Sequence, residues 1–497
     1  MPLPDLIEIV PLKKPVRAEI TVPGSKSITN RALILAALAE GEVTLEGALW
    51  SEDTQVMTEA LRKLGFEIKV EPDPEEFCNR RITVKGLGGR IPNSGTAEKP
   101  LELFVGNAGT AARFLAALVC LGNGVYRLSG VPRMHERPQA ALFKALRELG
   151  YRVESPNEKL PAVIFGAERG CVADQPQQFE RAAADASRTA ALQPQRSCTV
   201  SIEESSQFAS ALLLCAKHGG WEVKVVGENA EESPYVAMTA KLVGNVPQRG
   251  GAFQIEPDAS SGSYFWAAER WVPQPVASNV KQAKFPRAAP FETVAVARWP
   301  RSGWQMDDRF PGVLLLASPL HAGLEQARGW KRFEEAPLEQ LRAFRERHLK
   351  RGEISRKHDL GDSIMTAVVL APFALEPIRF TDLGRLRVQE CERVVALRIE
   401  LTKCGAKVLE EGDTLTVYPS KLHGAEIETY NDHRMAMCFA ILGLKVPGIK
   451  IKNPSCVKKT FPNFFQKLAA PQPKGLGAEI RDAKTGRKLE VDELFAD

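Results

Sequence analysis

Pro23-Gly24-Ser25-Lys26-Ser27-Ile28-Thr29-Asn30-Arg31-Ala32-Leu33-Ile34-Leu35 puts a glycine–serine turn and a lysine at the head of an apolar helix, with an arginine one turn further in. Such a start aims free backbone N–H groups, the positive end of the helix dipole and two cations at one point, which suits a phosphate or a carboxylate. The spacing is not that of the Walker loop, which needs Gly-Lys followed directly by Ser or Thr and another Gly upstream. An ordinary serine-capped helix with solvated basic residues gives the same local pattern.

The device recurs along the chain. Gly106-Asn107-Ala108-Gly109-Thr110-Ala111-Ala112-Arg113 opens a second apolar helix ending near Gly122, and Glu204-Ser205-Ser206-Gln207-Phe208 opens a third ending at Gly219-Gly220. Asp258-Ala259-Ser260-Ser261-Gly262-Ser263, Asp359-Leu360-Gly361-Asp362-Ser363 and Asn431-Asp432-His433-Arg434 each lead into another. A helix that is apolar all round is buried, so its polar start is the part left to meet a ligand. Six such starts predict duplicated α/β units whose helix N-termini face a common cleft.

The 497 residues predict two to four domains. The net charge of +5 is too mild to argue for a nucleic-acid partner. Nine scattered cysteines, without CxxC or His/Cys spacing, predict a reducing cytoplasm and no metal site. Met1-Pro2-Leu3-Pro4-Asp5-Leu6 has no basic segment leading into an apolar run, and the apolar helices, about a dozen residues each, fall short of the roughly 20 that span a bilayer. A soluble cytoplasmic protein is expected.

Short β-type runs closed by glycine lie between the helix starts: Glu42–Leu45, Arg81–Gly86 and Val223–Gly227, with Ala406–Val408 and Thr414–Val417 later on. Helical periodicity covers Thr54–Leu64, Ala140–Leu149 and Cys391–Lys403. Alternating strand and helix define the class as α/β. Residues 170–198 read as a polar surface excursion, and the proline-broken region 271–357 as an insertion carrying a charged helix from Leu338 to Lys350. That helix is a solvated face or an RNA-binding insert. Ser302–Asp307 reads as the remnant of a helix start, and the tail from Pro471 to Asp497 as an exposed appendage.

Segments Pro23–Arg31, Leu103–Arg113, Arg133–Pro138, Ser205–Gln207, Pro234–Tyr235, Asp362–Thr366, Arg387–Arg393, Tyr430–Phe439 and Lys459–Phe465 resemble, in order, those of the EPSP synthase family (3-phosphoshikimate 1-carboxyvinyltransferases) among the enolpyruvyl transferases. The resemblance implies an inside-out α/β barrel architecture: two globular domains, each of three βαβαββ units, with an interdomain cleft. Residues 1–23 and 258–470 would form one domain, holding the divergent region 271–357, residues 24–257 the other, and residues 471–497 a tail. It implies enolpyruvyl transfer from phosphoenolpyruvate to the 5-hydroxyl of shikimate 3-phosphate, through a tetrahedral intermediate, with loss of phosphate. No cofactor or metal is needed, and a monomer is expected whose partners are the two substrates, with no nucleic acid and no membrane.

Two phosphates and two carboxylates must be held at once, so the chemistry needs several Lys and Arg. By the resemblance, Asp362 is the base for the hydroxyl and Glu390 the proton donor to the methylene carbon. Lys26 and His433 assist, although His433 alone also fits a structural histidine. Phosphoenolpyruvate would meet Lys26, Asn107, Gly109, Thr110, Arg137, Gln207, Arg393, Asp432, Arg434 and Lys459. Shikimate 3-phosphate would meet Lys26, Ser27, Arg31, Ser205, Ser206, Ser233, Tyr235, Asp362, Arg385 and Gln389. Gly109 also matches the family's glyphosate-sensitive form.

The acceptor side departs from the family's pattern. Gln389 stands where a lysine is usual, Arg385 stands where an asparagine is common and could restore that charge, and Glu232-Ser233-Pro234-Tyr235 replaces Ser-x-Pro-Tyr. Two other readings therefore remain: an enolpyruvyl transferase with a different acceptor alcohol, and a non-catalytic homologue that binds phosphorylated metabolites. UDP-N-acetylglucosamine enolpyruvyl transferase typically carries a loop cysteine near Arg133–Pro138, where this chain has none.

Overall fold

The structure, a computed structural model, describes residues 3–14, 16–167, 196–227, 233–269, 294–312 and 352–496. All six polar starts head helices: Lys26–Leu38, Gly109–Leu118, Ser206–Gly219, Ala259–Glu269, Ile364–Leu370 and His433–Gly443. Every residue from Ile28 to Leu38 is buried, and so is the whole of Gly109–Leu118 and Ile364–Leu370. With no solvent face, each helix meets open space at its N-terminal end.

Among the described residues, four four-stranded sheets share one order, a parallel pair followed by two antiparallel steps. In one, Leu101–Phe104 runs parallel to Val125–Ser129, which pairs with Ala162–Phe165 and then Val153–Glu154. Glu353–Ser355, Ile378–Thr381, Thr414–Val417 and Val408–Glu411 repeat it. A parallel pair needs a crossover, usually helical. The buried helices Gly109–Leu118 and Ile364–Leu370 are those crossovers.

Two sheets borrow a strand from a distant part of the chain. Gly251–Gln254 lies parallel to Glu40–Leu49, and Leu6–Ile9 pairs with both Ile449–Lys452 and Ile480–Asp482. Ala18–Ile20 runs parallel to Val294–Val296. The result is two packed cores, one from Ile28 to Ile255, the other from Leu3 to Val22 together with Tyr264 to Ala496. The chain passes between them near Pro23 and near Pro257, and the two passages are hydrogen-bonded side by side: Ser25 N donates to Glu256 O at 2.8 Å and Asp258 N to Pro23 O at 2.8 Å. Gly24 fits there because a Cβ would lie 2.0 Å from Gly47 O.

Several sequence-based expectations are corrected. The end of the supposed surface excursion is a strand, Arg196–Ser201, parallel to Trp221–Val226, with Cys198 and Val200 turned inward. The tail is no exposed appendage: Ile480–Asp482 completes a sheet, and Leu476, Ala478, Leu489 and Leu494 are buried. Its apolar residues are spaced too widely among lysine and glycine for periodicity to reveal them. The strand expected from Ala406 begins at Val408. Ser302–Asp307 leads into a single 3₁₀ turn, Met306–Arg309. The charged helix Leu338–Lys350, residues 170–195 and Glu232 lie outside the described residues.

Candidate active site

Between the cores lies a cleft with about 1150 Å³ of empty space, part of it open to solvent. Among the described residues, eight Lys and Arg side chains line it against five Asp and Glu. An excess of cations on a partly enclosed surface suits anionic ligands, which can complete it with charge-assisted hydrogen bonds. Of the sequence-predicted residues, Lys26, Ser27, Arg31, Gly109, Thr110, Arg137, Ser205, Ser206, Gln207, Tyr235, Asp362, Arg385, Gln389, Glu390, Arg393, His433 and Arg434 all line the cleft.

Asp362 sits in the turn that opens Ile364–Leu370, and its carboxylate faces three guanidiniums: Arg356 at 2.8 Å, Arg434 at 3.3 Å and Arg393 at 4.0 Å. Burial pushes the Asp362 carboxyl up, but those cations outweigh it and hold it well below the usual carboxylate range. Glu390 behaves alike, because Lys459 at 3.1 Å and Arg393 at 2.8 Å overcome the effect of burial. Arg393 is 1% exposed and also holds Asp432 at 2.6 Å, so one guanidinium gathers three carboxylates. Burial, with Arg434 beside it, keeps the His433 imidazole neutral, well below its ordinary value. Neither ring nitrogen has a hydrogen-bond partner among the described residues.

From the other core, Lys26 pairs with Asp53 at 2.9 Å, and Arg137 Nη1 donates to Asn107 O at 3.3 Å. Arg31 gives its donors to Thr239 Oγ1 at 2.7 Å, Ser27 O and Ser210 Oγ, all neutral, and burial pushes it down to about 10. Hydrogen bonds also cross the cleft, from Lys459 Nζ to Asn107 O at 3.3 Å and from Arg385 Nη1 to Ser206 Oγ at 3.2 Å.

Four expected residues stand apart from the cleft lining. Asp432 is fully buried behind the wall, where it caps His433–Gly443 and braces Arg393. A carboxylate with those duties positions a cation and is not free to meet an anion. Ser233 heads the helix Pro234–Asn245 and faces a neighbouring cavity, behind Tyr235. Lys459 and Asn107 lie just beyond the lining, bonded to each other through the Asn107 carbonyl.

Three residues escaped the sequence reading. Arg113 lines the cleft with Nε and Nη1 unpartnered, and its place one turn into an apolar helix repeats that of Arg31. Asp307 is buried and accepts from Gly361 N at 2.7 Å, Ser363 N at 3.1 Å and Ser363 Oγ at 2.5 Å, thereby fixing the turn that carries Asp362. Arg356 carried no signal at all, lying at the end of a region without periodic pattern. Among the described residues, no group of His, Cys, Asp and Glu is arranged to hold a metal ion, and no helix is long and apolar enough to cross a membrane.

The chain matches, over residues 10–276 and 333–468, the family described as EPSP synthase (3-phosphoshikimate 1-carboxyvinyltransferase). It is 36% identical to the 3-phosphoshikimate 1-carboxyvinyltransferase of Trichormus variabilis over 93% of this chain and 98% of that one. With the protein of the same name from Opitutus terrae it shares 34% identity, over 96% and 100% of the two chains. Among solved structures, an EPSP synthase from Acinetobacter baumannii superposes with a TM-score of 0.62 at 18% identity, covering 96% of this chain and 100% of that chain. The enolpyruvyl transferase NikO from Streptomyces tendae gives a TM-score of 0.56 at 14% identity, over 97% and 99%. These structural likenesses establish a common α/β fold.

Proposed function

The chain belongs to the EPSP synthase family, and from that premise we infer how its cleft performs the family's reaction. The protein transfers the enolpyruvyl group of phosphoenolpyruvate to shikimate 3-phosphate, releasing phosphate, in aromatic amino acid biosynthesis. Residues 24–257 and the remainder form the two halves that meet around the substrates, a division supported by the two separate hydrophobic cores.

In the proposed mechanism Asp362 takes the proton of the acceptor's 5-hydroxyl as its oxygen bonds to C2 of phosphoenolpyruvate. Glu390 delivers a proton to the methylene carbon, giving a tetrahedral intermediate, and takes it back as phosphate leaves. The observation that carries this reading is that both carboxylates flank one buried guanidinium, that of Arg393. Lys26, Arg137, Arg393, Arg434 and Lys459 hold the phosphate and carboxylate of phosphoenolpyruvate, a reading supported by the cleft's excess of cations and, for Lys459 just beyond its lining, by the ion pair with Glu390 at 3.1 Å. Against the effect of burial, Lys459, Arg393 and Arg137 hold the Glu390 carboxyl well below its ordinary range. Once they face the substrate's negative charges, less of their field falls on Glu390 and its proton affinity rises, as an acid catalyst requires.

The test is phosphate release from phosphoenolpyruvate and shikimate 3-phosphate, with the coupled product identified by mass. Release only with another alcohol would reassign the acceptor, and binding of both substrates without turnover would make the chain a non-catalytic homologue.

Gly109→Ala probes the donor subsite. A Cβ there would lie 2.4 Å from Arg113 Nη1 and 2.7 Å from Arg137 Nη2, so both guanidiniums must move. The KM for phosphoenolpyruvate should rise by about tenfold or more, the equivalent of one charge-assisted hydrogen bond, while the KM for the acceptor changes little. Steady-state kinetics with each substrate varied in turn check this. An unchanged donor KM would place phosphoenolpyruvate away from Arg137.

A further inference from the structure

Arg356 and Arg385 stand together on the acceptor side of the cleft, with Ser205, Ser206 and Tyr235. Arg356 is 8% exposed, and its guanidinium makes one hydrogen bond among the described residues, from Nη2 to Asp362 Oδ1 at 2.8 Å. Its Nε is buried without a partner. Arg385 donates only to neutral oxygens, Ser206 Oγ at 3.2 Å and Ile202 O at 2.9 Å, and makes no ion pair among the described residues. Burial and the neighbouring Arg356 push Arg385 down to about 10. The one carboxylate that Arg356 holds is shared with Arg434 and Arg393.

Two cations crowded together, with Glu203 and an Asp362 already shared among three guanidiniums as the acids that act on Arg385, form a receptor that an incoming dianion completes. Gln389 cannot supply charge to this corner. Its side-chain oxygen accepts from Arg393 Nη1, and its backbone carbonyl accepts from Arg133 Nη2 at 3.1 Å. The occupant follows from Asp362. An acceptor whose hydroxyl meets that carboxylate, and which carries a phosphate on the same small ring, brings the phosphate within reach of the arginine that grips Asp362 at 2.8 Å.

We propose that Arg356 is a specificity-determining residue, which orients Asp362 with one arm of its guanidinium and, beside Arg385, receives the acceptor's phosphate monoester with the rest. This rests on the reading that the acceptor is a phosphorylated alcohol deprotonated by Asp362. The planar fork suits both tasks, since it presents donors in two directions from one rigid group.

The test is steady-state kinetics of the wild type, Arg356→Met and Arg356→Lys, with thermal melting to confirm folding. The methionine variant should raise the KM for shikimate 3-phosphate by about 10- to 100-fold, the value of hydrogen bonds to a charged group, with the KM for phosphoenolpyruvate held within about twofold. Lysine should restore most of the acceptor affinity. An unchanged acceptor KM, or an equal rise in both constants, overturns the proposal. If the methionine variant does not fold, the lysine variant decides: a modest rise confined to the acceptor supports the role, and none rejects it. A wild type that ignores shikimate 3-phosphate but turns over another phosphorylated alcohol refutes the acceptor identity instead, and the same comparison on that alcohol then decides the arginine's role.

Discussion

Asp362→Asn is expected to lower kcat by about three orders of magnitude, within the 10²–10⁴-fold span of a positioned general base, while the KM for phosphoenolpyruvate stays nearly constant. Asparagine keeps the shape of the side chain and part of its bond to Arg356, but it cannot accept the hydroxyl proton. The loss therefore falls on the chemical step. Phosphate release at saturating substrates measures it, and calorimetric binding of shikimate 3-phosphate shows whether the cleft still fills. An asparagine variant within about tenfold of the wild-type kcat would remove Asp362 from the proton path.

Glu390→Gln should be of similar severity, about 10²–10⁴-fold in kcat, because protonation of the methylene carbon and its reversal both depend on it. Its signature differs. In heavy water the wild type should move solvent deuterium into the methylene group as the intermediate forms and collapses, and the glutamine variant should lose that exchange along with turnover. Glu390 holds Arg393 at 2.8 Å and Lys459 at 3.1 Å, so glutamine also leaves two cations short of one countercharge. Tighter binding of phosphoenolpyruvate with slower turnover would be consistent with that vacancy. Persistent exchange at the wild-type rate would assign the proton to another group.

The six helix starts were legible because a helix apolar on every side has nowhere to put polar residues except its ends. That argument needs no long-range information. Sheet membership does, and it was not legible: nothing in Gly251–Gln254 or Leu6–Ile9 says that each completes a sheet built largely by residues hundreds of positions away. The strand Arg196–Ser201 and the tail were misread for a related reason, since both are short, polar at intervals and buried only by partners distant in sequence.

At the cleft, motif spacing located the residues but not their facing. Asp432, His433 and Arg434 are consecutive, yet only His433 and Arg434 reach the open space, while Asp432 turns back to cap its helix and brace Arg393. Asp307 and Arg356 acquire their roles only by folding back onto the Asp362 turn, and local sequence carries no trace of that contact.

The neighbouring passages at Gly24 and Pro257 are clasped by an antiparallel bridge, so these two links between the cores share one place. A substrate that drew Lys26 and Arg137 toward Asp362 and Glu390 would improve the seat of its companion, and by linkage the favour would be returned in equal measure.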